Sequence, residues 1–300
     1  MIKVFLLDRN VVSLIKQSLN GGSKMDSEKR KFLNKLRKID KSWNTISPLP
    51  AIMEGQHGKP ENPEELLETA RQESQAVAQF FHFASNDEKV FLQDDRLRHM
   101  PNGLREDNFD LYVEFLSEVV PDIIQTVSAK NREEKMIKIL DTAAKMGVLK
   151  SHIIVVCVLS ALYGNQAAKG ILNPRIKGKK GILNPGIKGK KSHNAVCDLM
   201  VLSRLARIET ADDSNSVDFK FITMDKSLSA FSKLIQVKRV GLQNVDLGAN
   251  KARFYAEYSF DKKLFPEMSD VDFNMLLEKL SLPDDDKPQL PITWKKPSKW

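Results

Sequence analysis

Two short apolar runs, each ending near an aspartate and followed by a helix, constrain the fold of this chain most strongly. Ile2–Leu7 (IKVFLL) has the length and composition of a buried strand and precedes Asp8, and a helix is predicted over about 11–19. Residues 217–224 (VDFKFITM) form a second predicted strand before Asp225, again with a short helix after it. This alternation favours an α/β fold with a mostly parallel sheet.

The chain between these two strands is predicted to be mainly helical. Pro121 predicts a break in one helix, and Gly147 predicts the end of another. The predicted helices cover about 26–41, 62–84, 107–129, 132–145, 194–208 and 269–280. The run at 153–163 is ambiguous, because its β-branched residues favour a strand while Ser151 and Gly164 around it are typical helix caps; a buried helix is the preferred interpretation. A third strand is predicted at 236–242, and four prolines after residue 282 predict an extended C-terminal tail.

The positive charge of the chain is concentrated in one segment. The chain has 47 Lys and Arg against 39 Asp and Glu, a net charge of +8. Residues 169–191 carry eight cations and no acid, which equals the whole surplus. The rest of the chain is therefore balanced in sum, and a generally basic protein is excluded.

Two further properties bear on the compartment. No apolar run reaches the roughly 18–20 residues of a membrane span, and the best one, 153–163, is too short. We expect no membrane association and, without a leader at the N-terminus, a cytoplasmic protein. Cys157 and Cys197 lie in apolar stretches and are predicted to be buried thiols.

Four acids lie where a phosphate-processing site would need them. Asp8 and Asp225 follow the two strands, Asp198 lies among apolar neighbours in a predicted helix, and Glu54 follows a short apolar segment. In parallel sheets ligands bind beyond the carboxyl ends of the strands. Phosphodiester cleavage needs a neutralised phosphoryl group and an activated water, and Mg²⁺ or Mn²⁺ held by carboxylates supplies both.

The residues around these acids resemble the motifs of the PIN-domain nuclease family. Leu7-Asp8-Arg9-Asn10-Val11-Val12 resembles the opening strand motif, and Phe221-Ile222-Thr223-Met224-Asp225 resembles the final Thr-x-Asp motif. Ile52-Met53-Glu54 and Asn194-Ala195-Val196-Cys197-Asp198-Leu199-Met200-Val201 resemble the second and third acidic motifs.

This resemblance implies a fold and an activity. The fold is a three-layer α/β/α sandwich with a mostly parallel central sheet, here a discontinuous core at 1–58 and 150–245 with a helical insertion at 59–149 and an extension at 246–300. The activity is endonucleolytic cleavage of RNA with Mg²⁺ or Mn²⁺. Asp8, Glu54, Asp198 and Asp225 would be the catalytic metal ligands, and Asn10 and Thr223 would orient them.

Other interpretations remain open. Each aspartate after a strand is also a typical helix cap, and Asn10 is a candidate cap as well. Asp198 has Arg204 and Lys226 as candidate ion-pair partners. A haloacid-dehalogenase-type phosphatase needs a second Asp where Asn10 stands, which ranks it lower. A catalytically inactive PIN-like RNA-binding or scaffold module is the main alternative to an enzyme, and a toxin or antiviral-defence effector is the setting that family analogy suggests.

The basic segment contains a tandem duplication. Residues 170–180 (GILNPRIKGKK) and 181–191 (GILNPGIKGKK) are identical at ten of eleven positions. Asn-Pro and glycine oppose regular structure, so a mobile loop is predicted. The loop is a candidate contact for RNA phosphates, and the alternative is an insertion without function. The candidate contact residues are Arg175, Lys177, Lys179, Lys180, Lys188, Lys190 and Lys191.

The partners follow from the same features. RNA is the expected substrate, and the residues do not separate it from DNA. A second copy of the chain or a regulatory protein is a candidate partner through the helical insertion or the C-terminal tail. Phe80, Phe81 and Phe83 are predicted to be packing residues rather than a platform for stacking bases, because adjacent residues on a helix point to different faces.

Overall fold

The computed structural model of the protein describes residues 2–21, 25–54, 63–86, 108–124, 127–172, 188–210, 217–246 and 251–280. The chain forms two compact units. The first unit contains residues 1–105 and 211–229, and the second contains residues 106–210 and 230–300.

The first unit is built on a four-stranded sheet in which every pairing is parallel. Its strands are β1 (Ile2–Leu7), β2 (Asn44–Ser47), β3 (Ser85–Asn86) and β4 (Val217–Ile222), in the order β3-β2-β1-β4. The prediction of an α/β fold with a parallel sheet is confirmed.

Four helices of the first unit lie between these strands in the chain. They are α1 (Arg9–Leu19), α2 (Ser27–Lys38), α3 (Leu49–Glu54) and α4 (Pro63–Phe80). Val11 and Ile15 of α1, Leu36 of α2 and Val77 of α4 join Leu7 of β1 in one buried core. The spacing of these apolar residues by three or four positions gives each helix one face that packs inward.

The strand order places a reversal point between β1 and β4. The chain passes from β1 to β2 and β3 on one side, and β4 then pairs with the other side of β1. In this pairing Leu7 lies opposite Ile222, so both strands end at the same level. The carboxyl ends of β1 and β4 therefore form the crevice where parallel sheets bind their ligands.

The second unit combines helices with a two-stranded antiparallel ribbon. Its helices are α5 (Phe109–Val119), α6 (Pro121–Ile124), α7 (Ala129–Lys145), α8 (Ile153–Leu162), α9 (Gln166–Leu172), α10 (Lys188–Thr210) and α12 (Asp270–Leu280). Its strands are β5 (Ile235–Asp246) and β6 (Lys251–Phe260). The helix α11 (Lys226–Ser232) contains the division between the units.

Several helix predictions in this unit are confirmed. Every residue of α8 is buried, so the preferred interpretation of 153–163 as a buried helix is confirmed. Pro121 separates α5 from α6. Gly147 ends α7 with φ of +70°, and the Val148 N–H donates to Ala143 O at 2.8 Å to close the last turn.

The last predicted strand has a different role from the one expected. β5 pairs with β6 in an antiparallel ribbon and is no part of the parallel sheet, and β6 was not predicted. Neighbouring strands joined by a short connection pair antiparallel, whereas a parallel pair needs a long crossover. The proline-rich tail lies outside the described residues.

The two units also divide the chain at other places than the motif-based domains. Helix α4, which falls in the predicted insertion, packs against α1 and belongs to the first unit. Helices α8 and α10, which fall in the predicted core, belong to the second unit.

Within the described residues, no single helix has the length and hydropathy of a membrane span. Helices α8 and α9 together reach that length and hydropathy, but the chain bends by 118° between them. Within the described residues Cys157 and Cys197 form no disulfide; Cys157 is buried, as expected, and Cys197 is half-buried.

Candidate functional site

Asp8 and Asp225 lie close together at the carboxyl ends of β1 and β4. Asp8 follows Leu7 directly, and its backbone N–H donates to Ile222 O at 2.9 Å, which continues the pairing with β4 by one residue. Asp225 follows β4 after Thr223 and Met224. The sequence-based prediction that these two acids share the end of the sheet is confirmed.

A hydrogen-bonded network joins the two acids through Thr223 and Asn10. The Thr223 hydroxyl donates to Asp8 Oδ2 at 2.5 Å and accepts from the Asp225 backbone N–H at 3.0 Å. Asn10 Nδ2 donates to Asp8 Oδ2 at 2.6 Å and to Thr223 Oγ1 at 3.1 Å. The predicted positioning role of Asn10 and Thr223 agrees with these contacts.

Asn10 also holds the loop that follows β4. Its side-chain oxygen accepts from the Met224 backbone N–H at 2.9 Å. The amide thereby uses both its donor and its acceptor groups between the two strand ends. Asp would lack the two donors, so an amide is the residue type that this network needs at position 10.

The Asp8 carboxylate is buried in a way that disfavours its charge. Its exposed fraction is 4%. Burial raises the pKa of the Asp8 carboxyl above its ordinary value, and the charge of Asp225 adds to the increase, while hydrogen bonds from Thr223, Arg9 and Asn10 oppose it. A cation beside the two carboxylates would relieve both the burial and the repulsion.

Each of the two aspartates also caps a helix. Asp8 Oδ1 accepts from the Arg9 backbone N–H at 2.8 Å at the start of α1. Asp225 Oδ1 accepts from the Leu228 backbone N–H at 2.8 Å at the start of α11. The open alternative that Asn10 caps the first helix is wrong, because α1 begins at Arg9 and its cap is Asp8.

The donor set of this pair suits a hard divalent cation. It offers carboxylate oxygens from Asp8 and Asp225, the ligands that Mg²⁺ and Mn²⁺ prefer. Mg²⁺ in particular binds through one or two carboxylates and keeps several waters or takes phosphate oxygens in their place. Among the described residues, no hydrogen bond occupies Asp225 Oδ2, which leaves one oxygen of the pair for a ligand.

Glu54 belongs to the same unit as the pair. It is the last residue of α3 and is half-buried. Helix α3 contacts both β1 and α1. Glu54 thus lies on an element packed beside the strand that carries Asp8, but the structure does not group it with that pair in a metal cage.

Asp198 lies in the second unit, on α10, and is half-buried. Its neighbour there is Cys157: burial raises the pKa of this thiol, and the charge of Asp198 raises it further. Across the part of the chain that the structure describes, no three His, Cys, Asp or Glu side chains are placed to hold one metal ion. The structure thus brings Asp8 and Asp225 together, and the predicted grouping of all four carboxylates is not found among the described residues.

Lys226 and Arg204, the candidate ion-pair partners of Asp198, have other surroundings in the structure. Lys226 pairs with Glu28 at 2.5 Å. Arg204 is buried, and among the described residues its Nε and Nη1 have no hydrogen-bond partner.

A charged cluster of Glu73, Arg9 and Lys16 was not predicted from the sequence, and Arg9 directly follows Asp8 in the chain. Glu73 of α4 is 3% exposed and forms ion pairs with Lys16 Nζ at 3.2 Å and Arg9 Nη2 at 3.7 Å. Arg9 also donates to Ala51 O of α3 at 3.1 Å. Glu73 lies three residues before Ala76 and four before Val77 on the inward face of α4, so an acid in that apolar spacing was the available signal.

The duplicated basic segment is partly helical, which corrects the predicted loop. Residues 170–172 belong to α9, and Lys188, Lys190 and Lys191 belong to the first turn of α10. Helix continues into the repeat because each copy ends in Lys-Gly-Lys-Lys, where the lysines tolerate helix and the glycine costs only about 1 kcal/mol. Arg175, Lys177, Lys179 and Lys180 lie outside the described residues.

The chain matches no protein-family model and no curated protein, and its structure matches no solved structure.

Proposed function

We propose that this chain is a metal-dependent endoribonuclease whose first unit is a PIN-like α/β/α sandwich. The observation that supports it most is the Asp8–Asp225 pair at the reversal point of a parallel sheet. Burying one of two neighbouring acids is costly unless a cation or a proton compensates it. A site that binds a phosphate ester through such a cation accounts for this arrangement.

Each residue of the site has a proposed role. Asp8 and Asp225 bind Mg²⁺ or Mn²⁺, and Glu54 and Asp198 are the further ligands that the motifs suggest. The bound ion would supply charge neutralisation on the phosphate and a water of lowered pKa. Thr223 and Asn10 fix Asp8 Oδ2 by the bonds described above, so this carboxylate keeps one orientation toward the ion.

RNA is the proposed substrate, and the cytoplasm is the proposed compartment. Cleavage of cellular RNA harms a cell unless it is controlled. A toxin or antiviral-defence effector is consequently the biological setting that we infer from the family analogy.

A second candidate function is a PIN-like RNA-binding or scaffold module without catalysis. Both aspartates have a structural task as helix caps, which is sufficient reason for an acid at each position. The described residues also hold no group of three metal-binding side chains.

One assay separates the two candidates. The purified chain is incubated with labelled single-stranded RNA, structured RNA and single-stranded DNA in Mg²⁺, Mn²⁺ or EDTA. The proposal predicts internal cleavage of RNA that depends on the metal ion and stops in EDTA. Binding of RNA without metal-dependent cleavage under any of these conditions contradicts it and favours the module.

A further inference from the structure

A surface groove of about 800 Å³ lies at the other end of the same sheet. Its lining includes Trp43, which comes just before β2, and Phe83, which follows α4. β1 and β2 are parallel with Lys3 opposite Asn44, so Trp43 lies at the amino end of the strands and Asp8 at their carboxyl end. The groove is separate from the Asp8–Asp225 pair.

Two aromatic side chains of this groove are exposed to solvent. Trp43 is 70% exposed and Phe83 is 72% exposed. The prediction that Phe80, Phe81 and Phe83 are packing residues is correct for the first two, which are buried, and wrong for Phe83. Two large aromatic rings left in water beside one groove offer flat faces to a ligand.

The groove adjoins a strongly basic helix. α2 (SEKRKFLNKLRK) carries six Lys and Arg residues and one acid, Glu28. Leu33 and Leu36 face the core, while Arg30, Lys31, Lys35, Arg37 and Lys38 are exposed. Arg37 and Lys41 line the groove itself. The charges outside the duplicated segment sum to zero, but the exposed face of α2 is nevertheless a second basic surface.

Asp40 is an acidic residue that lines the groove, and backbone N–H groups partly compensate its charge. Asp40 accepts hydrogen bonds from the backbone N–H groups of His82, Phe83 and Ala84 at 2.9, 2.8 and 2.8 Å. Its carboxylate is thus directed at the end of α4, where backbone dipoles compensate it. The groove therefore combines lysine and arginine with two exposed rings.

We propose that this groove binds single-stranded RNA, with bases stacked on Trp43 and Phe83 and phosphates beside Lys41 and the exposed face of α2. Aromatic faces within a basic groove are the features by which proteins bind single strands without reading sequence. The inference takes RNA as ligand from the proposed function, but it concerns binding at a surface away from the acids, and it does not need catalysis.

Binding is measured in EDTA, so that loss of binding is distinct from loss of cleavage. The probe is a fluorescein-labelled oligouridylate of about 12 nucleotides, and the readout is anisotropy. Trp43→Ala and Phe83→Ala are each expected to weaken binding about tenfold. Lys38→Gln with Lys41→Gln is expected to weaken it and to flatten its salt dependence by about 0.7 per lost phosphate contact.

A second readout reports on the stacking itself. The chain has three tryptophans, at positions 43, 294 and 300, so Trp294→Phe with Trp300→Phe leaves Trp43 alone. Stacking predicts quenching of its fluorescence by the oligouridylate. Val271→Ala, at an exposed apolar residue of α12, and Lys145→Gln, at an exposed lysine of α7, are the matched controls and are expected to bind as the parent chain does.

Three outcomes overturn the inference. The first is unchanged affinity in both aromatic variants, which leaves only non-specific attraction between charges. The second is an unquenched Trp43 at saturating oligouridylate. The third is a polyglutamate peptide that competes as well as RNA does, which assigns the groove to an acidic protein partner.

Discussion

At the scale of single residues, the Asp40 side chain fixes the segment that connects α4 to β3. Its carboxylate accepts three consecutive backbone N–H groups at the end of α4 and so fixes the approach to β3. Burial alone would raise the pKa of Asp40, but the hydrogen bonds outweigh it, and the pKa lies below its ordinary value. The charged form is therefore the one that stabilises the fold.

This shift predicts an acid limb in stability. Because the pKa of Asp40 is lower in the folded chain, its contribution is complete above its unfolded pKa near 3.8 and is lost as pH falls through the folded value. The free energy of unfolding of Asp40→Ala should be lower than that of the parent by about 1–2 kcal/mol at neutral pH, and the difference should shrink below about pH 4.

Urea unfolding at a series of pH values from about 2.5 to 7 measures this difference, because this range extends on both sides of the ordinary pKa of an aspartate. Lys41→Gln, which removes a neighbouring charge and leaves the three N–H groups in place, is the control. A difference that stays constant down to the lowest pH contradicts the account of Asp40.

The candidate residues were predictable to different degrees. Asp8 and Asp225 were found from the sequence because strand ends in a parallel sheet converge, whereas Asn10 and Thr223 were suggested by the resemblance to the PIN-domain motifs. Phe83 was missed because α4 ends at Phe80, so helical spacing does not apply to Phe83. Asp40 was missed because its partners are backbone groups more than forty positions away.

At the scale of elements, Glu73 links α4 to α1. Its carboxylate is buried between Lys16 and Arg9, and Arg9 in turn reaches α3. Three helices are thereby fixed around the residue that follows Asp8. In such a buried cluster, removing the acid or one of its cationic partners leaves a charge without compensation, which is costly.

Removing this charge should destabilise the first unit. Glu73→Gln is expected to lower the free energy of unfolding by about 1–3 kcal/mol, because it leaves Arg9 and Lys16 without their counter-ion. Glu68→Gln is the matched control on the same helix, since Glu68 is exposed and contacts the exposed Arg71 at 3.9 Å and the exposed Gln72 at 2.9 Å. It should change stability by less than about 0.5 kcal/mol.

A double-mutant cycle with Lys16→Met and urea unfolding isolates the pair. The cycle should give a coupling energy between Glu73 and Lys16 of about 1 kcal/mol. If Glu73→Gln and Glu68→Gln have equal effects, the buried cluster has no structural role.

Elements were predictable where the local pattern decides the structure. The break at Pro121 and the end at Gly147 followed from backbone chemistry. For α8 the β-branched residues favoured a strand, and the cap signals at Ser151 and Gly164 led to the helix prediction. Strand pairing was not predictable in the same way. β5 reads like a strand of the parallel sheet, and only its partner β6 decides that it forms a separate ribbon.

At the scale of the whole molecule, two segments of the chain are rich in positive charge. The duplicated segment 169–191 contributes eight cations, and α2 contributes a basic face with six. Summed charge cannot reveal the second segment, because acids elsewhere balance it. The division into units likewise depends on contacts distant in sequence, which motif order does not contain.

Deleting one copy of the repeat tests whether it binds RNA. Removal of residues 181–191 leaves the first copy directly before Ser192, with the same Lys-Gly-Lys-Lys ending for the start of α10. We expect weaker RNA binding and a salt slope lower by up to about 2, since three lysines are lost. Circular dichroism checks that the fold is intact, and unchanged affinity with unchanged slope identifies the copy as an insertion without a binding role.

The central claim is that the Asp8–Asp225 pair is catalytic, beyond its role in capping helices. Asn caps helices as well as Asp does, so Asp8→Asn and Asp225→Asn remove charge and largely retain the caps. Asp26→Asn is the matched control, because Asp26 caps α2 through the Lys29 N–H at 2.8 Å and is no part of the site.

The decisive measurement is the rate of RNA cleavage in Mg²⁺ and Mn²⁺ by these three variants and the parent chain, with folding checked by thermal unfolding. The account predicts a loss of at least about 100-fold in Asp8→Asn and in Asp225→Asn, and parental activity in Asp26→Asn. Full metal-dependent cleavage by both folded site variants would contradict it.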